Sequence, residues 1–156
     1  MKKIRIKLPL QFKDIGRLEE AVKEYVIDKF VGKCSLENGY ITQINSVKIK
    51  DNIISRIQPV VLIDITLKYD NFDPKIEDVI TDCNIIMMFE EGIWAEKQIS
   101  DSITICIAIP KNNVKKVWDN ATRKFEGLAV GDKINVKITN VNFDGTMKKY
   151  IGSLIE

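Results

Sequence analysis

From Gly39 to the end of the chain, apolar residues recur at every second position through one segment after another, and only one stretch has the three-and-four spacing of a helix. A chain patterned in this way must bury one face of most of its strands, so it folds as sheet or barrel with a single helix to cover what the strands leave open. The helical stretch has an apolar stripe of Leu18, Ala21, Val22, Tyr25, Val26 and Phe30. Glu19 and Glu20 sit in its first turn and Gly32 lies where a C-terminal stop belongs, which predicts a helix over about residues 17–31.

Ahead of the helix, residues 3–10 alternate through Lys3, Ile4, Arg5, Ile6, Lys7 and Leu8, with Pro9 near the end, as an edge strand does. After it come "GYITQINSVKIK", a turn at Asp51-Asn52, then "IISRIQP" and "VVLIDITLKY". The helix needs this sheet to bury its stripe, so residues 1–74 read as one small α+β unit. "DNFDP" at Asp70–Pro74 breaks the pattern and marks the boundary.

Five further strands are expected over residues 75–156: Val79–Phe89, Ile93–Ile99, Ile103–Ile109, Ile134–Phe143 and Lys149–Ile155. Between the third and fourth lies "KNNVKKVWDNATRKFEG", either a short helix or a long loop. In the fourth, Ile134, Val136 and Ile138 share one face, while Lys133, Asn135, Lys137 and Thr139 share the other. Asp144-Gly145 then supplies a tight hairpin turn into Tyr150 and Ile151. Three strands, an insertion and a closing hairpin are the arrangement of an OB-fold, a five-stranded Greek-key barrel. The fold class is therefore α+β, a small helix-on-sheet unit followed by a five-stranded OB-fold barrel.

Composition excludes several chemistries. The 156 residues include no histidine, which removes Ser-His and Cys-His nucleophile pairs and histidine metal sites. The eight glycines are isolated, so there is no Gly-rich phosphate loop. Cys34, Cys83 and Cys106 never approach a C-x-x-C spacing and read as reduced thiols of an intracellular protein. The expectation is a protein without catalytic residues, metal or cofactor. An enzyme working through converging carboxylates is the remaining catalytic alternative, but the acidic residues alternate along strands and read as solvated. No apolar run is long enough to span a bilayer, and "MKKIRIKLPL" lacks the continuous apolar core of a signal peptide.

Charge is unevenly shared. Residues 1–76 carry 14 basic and 10 acidic groups, and residues 77–156 carry 10 and 12. Lys111, Lys115, Lys116, Arg123 and Lys124 cluster in the insertion with Asp119 opposing them, whereas Glu77, Asp78, Asp82, Glu90, Glu91 and Glu96 make the first two barrel strands acidic. Phe89 and Trp94 stand where an OB groove stacks bases, but their five-residue spacing puts them on opposite faces, with one expected in the core. Trp118 reads as a cap on the barrel's open end.

In order along the chain stand "LPL" at Leu8–Leu10, "VGKC" at Val31–Cys34, "NGYITQI" at Asn38–Ile44, "DNI…RIQP" at Asp51–Pro59 and "LKYDNF" at Leu67–Phe72. They are followed by "EDVI" at Glu77–Ile80, "EGIWAE" ending at Glu96, "IAIP" ending at Pro110 and the closing "YIGSLIE". In these segments the whole chain resembles the subunit-seven family of eukaryotic RNA polymerases, together with the archaeal polymerase stalk proteins that are its counterpart. Usage rich in Ile, Lys and Asn, together with the reduced length, implies a version encoded by a large DNA virus. The resemblance departs at Pro59, which runs directly into "VVLI" where family members carry glycines, and at the acidic second barrel strand.

What the resemblance implies is a non-catalytic stalk subunit. Residues 1–74 would be a tip domain docking at the base of the polymerase clamp through Asn52, Ile53, Ser55, Arg56, Ile57 and Pro59. Ile53 and Ile57 would be apolar anchors, Arg56 a charge-assisted contact and Pro59 a rigid bend; an ordinary hairpin turn is the alternative. The implied partners are the largest subunit, a subunit-six-like protein and a subunit-four-like protein, with no self-association and no membrane. Nascent RNA would be held weakly by Lys111, Lys115, Lys116, Arg123 and Lys124, with Trp94 as a stacking residue. The implied location is the virion and the host cytoplasm, or the nucleus for a cellular version. A free-standing OB-type RNA-binding factor for translation or RNA decay is the runner-up, and the net acidic barrel half argues against it.

Overall fold

The computed structural model describes residues 2–11, 17–57 and 60–155, with the backbone alone at residues 10, 11, 50–57 and 60–62. It is an α+β protein, mostly strand, and divides into two compact units. The first comprises residues 1–33 and 40–72, the second residues 34–39 and 73–156. The short excursion Cys34–Gly39 thus belongs with the second unit, a feature that no composition shift announces.

The first unit holds β1 (Lys2–Gln11), α1 (Leu18–Phe30) and, after the two-residue β2 (Cys34–Ser35) of the other unit, the long β3 (Gly39–Ile57) and β4 (Val60–Phe72). β4 is central, antiparallel to β1 on one side and to β3 on the other. Along β4, Ile63, Ile65, Leu67 and Tyr69 alternate onto one face, where Leu8, Ile41 and the helix residues Ala21, Val22 and Val26 complete a single buried cluster. Each large aliphatic side chain so buried contributes about 1.5–3 kcal/mol relative to exposure. The helix ends at Val31, whose backbone turns extended at ψ 130°, and Gly32 follows at φ +81° with its N–H donating to the Ile41 carbonyl at 2.9 Å. β3 carries several register shifts against β4, so its alternation is less regular than that of its partner.

The second unit is a closed barrel of β5 (Val79–Phe89), β6 (Gly92–Ser100), β7 (Ile103–Pro110), β10 (Lys133–Phe143) and β11 (Lys148–Ile155). Between β7 and β10 lie the single-turn helix α2 (Lys111–Val114) and a miniature hairpin of β8 (Trp118–Asp119) and β9 (Lys124–Phe125), so the insertion is both helix and hairpin. Around the barrel the order is β10-β11-β7-β6-β5, with β5 returning to β10. Every pairing is antiparallel except β11 with β7, which is parallel. The closing hairpin therefore seals two seams, and neither β5 nor β7 keeps an open edge.

Period two is cleanest in β7, where Ile103, Ile105, Ile107 and Ile109 are all buried and the residues between them are not. Two glycines set how closely strands approach. Gly92 has φ +154°, and a Cβ there would collide with the Ile109 carbonyl oxygen. Gly152 lies against β10, where a Cβ would meet the Val136 side chain and stand 2.8 Å from the Lys137 carbonyl oxygen. Among the described residues, no helix is long and apolar enough to cross a membrane.

Candidate functional site

The expected tip residues Asn52, Ile53, Ser55, Arg56 and Ile57 have side chains outside the described residues, and Pro59 lies outside them altogether. The backbone register is defined on both sides of it, with Ser55 opposite Leu62, Arg56 opposite Val61 and Ile57 opposite Val60.

The basic insertion is described in full, and three of its five cations line three separate shallow depressions on the second unit. Lys115, in a left-handed conformation at φ 57°, ends α2 and lines the first with Lys137, Thr139 and Ser153. Glu77 also lines it and holds the Lys137 ammonium at 2.6 Å, so this depression carries less net positive charge than its lysines alone would give. Half-buried Lys116 lines the second with Lys133 and Asn135. Leu154 and Ile155 border both, so the first two depressions adjoin. Lys133 and Lys137 were missed as candidates, although their outward positions on β10 were readable from its alternation.

Arg123 belongs elsewhere. It lines a depression of about 380 Å³ with Phe89, Trp118, Asn120, Glu90 and Glu91. Phe89 is 48% exposed, whereas Trp118 is half-buried because its ring packs edge-on against buried Phe125, with centroids 5.0 Å apart. The Trp118 indole N–H donates to Asn120 Oδ1 at 2.9 Å, which fixes the ring. Local hydrogen bonds shape this corner: Arg123 N–H reaches the Asp119 carbonyl at 2.7 Å, and Glu126 N–H reaches the Val117 carbonyl at 2.9 Å. The Asp119 carboxylate accepts from Ala121 N–H at 2.9 Å; that bond and the Thr122 hydroxyl hold it below the usual carboxylate range. Asp119 is therefore occupied within its own turn. Lys111 and Lys124 are exposed on α2 and β9.

Trp118 lines a depression together with an exposed phenylalanine. Two sequence expectations change here. Neither Phe89 nor Trp94 is a core residue: Phe89 is exposed and Trp94 half-buried, opposite Met87 on one neighbour and Ala108 on the other. The turn between β5 and β6 separates them, so the parity of their spacing does not carry from one to the other. The acidic character also moves, because Glu90 and Glu91 occupy that turn while Asp82 and Glu96 lie on the strands.

Burial pushes the Cys83 thiol up to about 11 and raises those of Cys34 and Cys106, the opposite of an activated nucleophile. Among the described residues, no three acidic or cysteine side chains converge to hold a metal ion. What the surface can do is bind: lysines for phosphates, and a Phe89–Trp118–Arg123 corner for a base. No protein-family model matches the chain, and no curated protein matches it either.

Proposed function

We propose that the chain is a non-catalytic stalk subunit of a multisubunit DNA-directed RNA polymerase. In this reading residues 1–74 form the tip that docks at the clamp base through Asn52–Ile57, the last residues of β3, together with Pro59. Residues 75–156 form an OB-fold that faces emerging RNA. The observation that carries it is the barrel's strand order. Numbered one to five in chain order, its strands neighbour one another as 1-2-3-5-4 with 4 closing on 1, and the one parallel pair is 3 with 5. That order is compatible with an OB-fold, and it follows a smaller helix-bearing sheet unit, in the sequence the resemblance requires. The setting it implies, a viral polymerase carried in the virion and working in the host cytoplasm, belongs to the same proposal. Its test is affinity purification of the tagged chain from its native source, with the two largest polymerase subunits expected in stoichiometric yield.

One observation favours a second reading, a free-standing single-stranded RNA-binding factor. The depression at Phe89, Trp118 and Arg123 combines two rings with a guanidinium, which suits one stacked base. Recovery of ribosomal or decay factors in place of polymerase subunits would select this reading.

A further inference from the structure

The outer face of the first unit's sheet, opposite the buried cluster, gathers several cations. Residues directly opposite one another in antiparallel strands share a face. The register places Lys3 opposite Lys68, Arg5 opposite Thr66, Thr66 opposite Lys48, and Lys7 opposite Asp64. These alternate with Ile4, Ile6 and Leu8, which register with Leu67, Ile65 and Ile63 on the helix-covered side. Five cations thus share the outer face with three carboxylates, Asp64 and Asp70 on β4 and, opposite Asp64, Asp51 on β3. Asp64 is 3% exposed, and it accepts a forked pair of bonds from the Arg5 guanidinium, one of them from Nε at 2.9 Å. The other four cations, Lys3, Lys7, Lys48 and Lys68, are exposed, and none has an ion pair among the described residues.

Such a face opposes its own folding to a degree, because Lys3 and Lys68 are like charges directly across from each other. An anionic partner removes that penalty. The chemistry narrows the partner. Lysine is depleted at protein–protein interfaces, whose binding energy concentrates in aromatic, Arg and apolar anchors, and among the described residues around Lys3, Lys7, Lys48 and Lys68 this face presents no such anchor beyond the arginine already committed to Asp64. Point charges on flexible stems suit phosphates. Along β1 the side chains of Lys3 and Lys7 flank Arg5 in two-residue steps of about 6.7 Å, a spacing that an extended single strand can follow phosphate by phosphate.

We propose that this face is a second nucleic-acid track, which binds the phosphates of a single strand through Lys3, Lys7, Lys48 and Lys68 without reading bases. It is independent of the barrel depressions and holds whichever reading of the barrel is correct.

The test uses the full chain and a fluorescently labelled single-stranded oligouridylate, with anisotropy titrations from about 50 to 200 mM salt. Four phosphate contacts contribute about −2.8 to the log–log salt slope, at roughly −0.7 per contact. The triple variant Lys3→Glu/Lys7→Glu/Lys68→Glu should shallow the slope by about 2 and weaken binding at least tenfold at the low-salt end. The neutral variant Lys3→Gln/Lys7→Gln/Lys68→Gln should show the same slope change, and it guards against misfolding of the reversed one. Charge reversal at Lys115, Lys116 and Lys124 should leave this component in place. The proposal is overturned if the sheet variants keep the parental affinity and slope. It is also overturned if polyglutamate of equal length competes as well as the oligonucleotide, since the occupant would then be an acidic protein.

Discussion

The Lys148 ammonium lies 2.7 Å from Asp73 Oδ1, and each side chain is only 5% exposed. The same ammonium donates to the Leu36 carbonyl at 3.1 Å, while Asp73 also takes the Lys75 ammonium at 2.5 Å. One buried ion pair thereby fastens the start of β11, the Cys34–Gly39 excursion and the residue at which the chain enters its second unit. Removing one partner of such a pair leaves a desolvated charge and an unsatisfied carbonyl. Lys148→Met should cost about 3 kcal/mol, seen as a lower midpoint in urea unfolding. Lys149→Met, one residue on and exposed, should stay within about 0.5 kcal/mol of the parent.

The same pair sets an acid limit. Burial alone would raise the Asp73 carboxyl, but hydrogen bonds and charge from Lys148 and Lys75 outweigh it and hold the group below its ordinary 3.8. A carboxyl depressed in the fold contributes stability that is complete above its unfolded value and is lost as pH falls through its folded one. Asp144 behaves alike, held at about 2 by the Met147 and Thr146 N–H groups and the Thr146 hydroxyl. Stability should therefore decline as pH drops below about 3.8. In Asp73→Asn that acid-dependent decline should be smaller, with the protein weaker at neutral pH. Circular dichroism melts across the acid range measure both.

At Gly152, β11 lies too close to β10 for a side chain to fit without a shift. Gly152→Val would force either the Val136 side chain or the Lys137 carbonyl to shift, and should cost at least about 2 kcal/mol. Ser153→Val, half-buried on the next position, should cost less. Thermal shift of the two variants provides the comparison.

The basic insertion should bind single-stranded RNA weakly. Five contacts give a log–log salt slope near about −3.5, and Lys115→Glu/Lys116→Glu/Lys124→Glu should remove most of that component. Phe89→Ala should weaken binding by about 1–3 kcal/mol if a base stacks at that corner, while Trp94→Ala should have the smaller effect. Ultraviolet crosslinks at Phe89 and Trp118 would locate the stacked base.

Much of the strand layout was legible because alternation dominates the chain. The expected α1 and all five barrel strands match their observed bounds to within about two residues, as far as periodicity can place ends. "ITICIAIP" reads as a half-buried strand on sight, and it is one. Lys148 was hidden for a physical reason: parity with Tyr150 points it inward, but a lysine is assumed to lie outside unless a partner is known, and Asp73 is 75 residues away in sequence. The Phe89–Trp118 corner was hidden likewise, because its two rings come from a barrel strand and an inserted hairpin that only tertiary folding brings together. The basic outer sheet face was present in "KIRIK" all along, but its meaning depends on the β4 register that sets Lys3 against Lys68.

The central claim is polymerase membership, and co-purification with and without an intact tip tests it most directly. The tagged parent chain should bring down the largest polymerase subunits, and Ile53→Asp/Ile57→Asp should lose them by placing unpaired charge in the docking pocket, while the isolated variant stays folded. Polymerase subunits absent from the parent purification, or equally present with the folded double variant, would contradict the account.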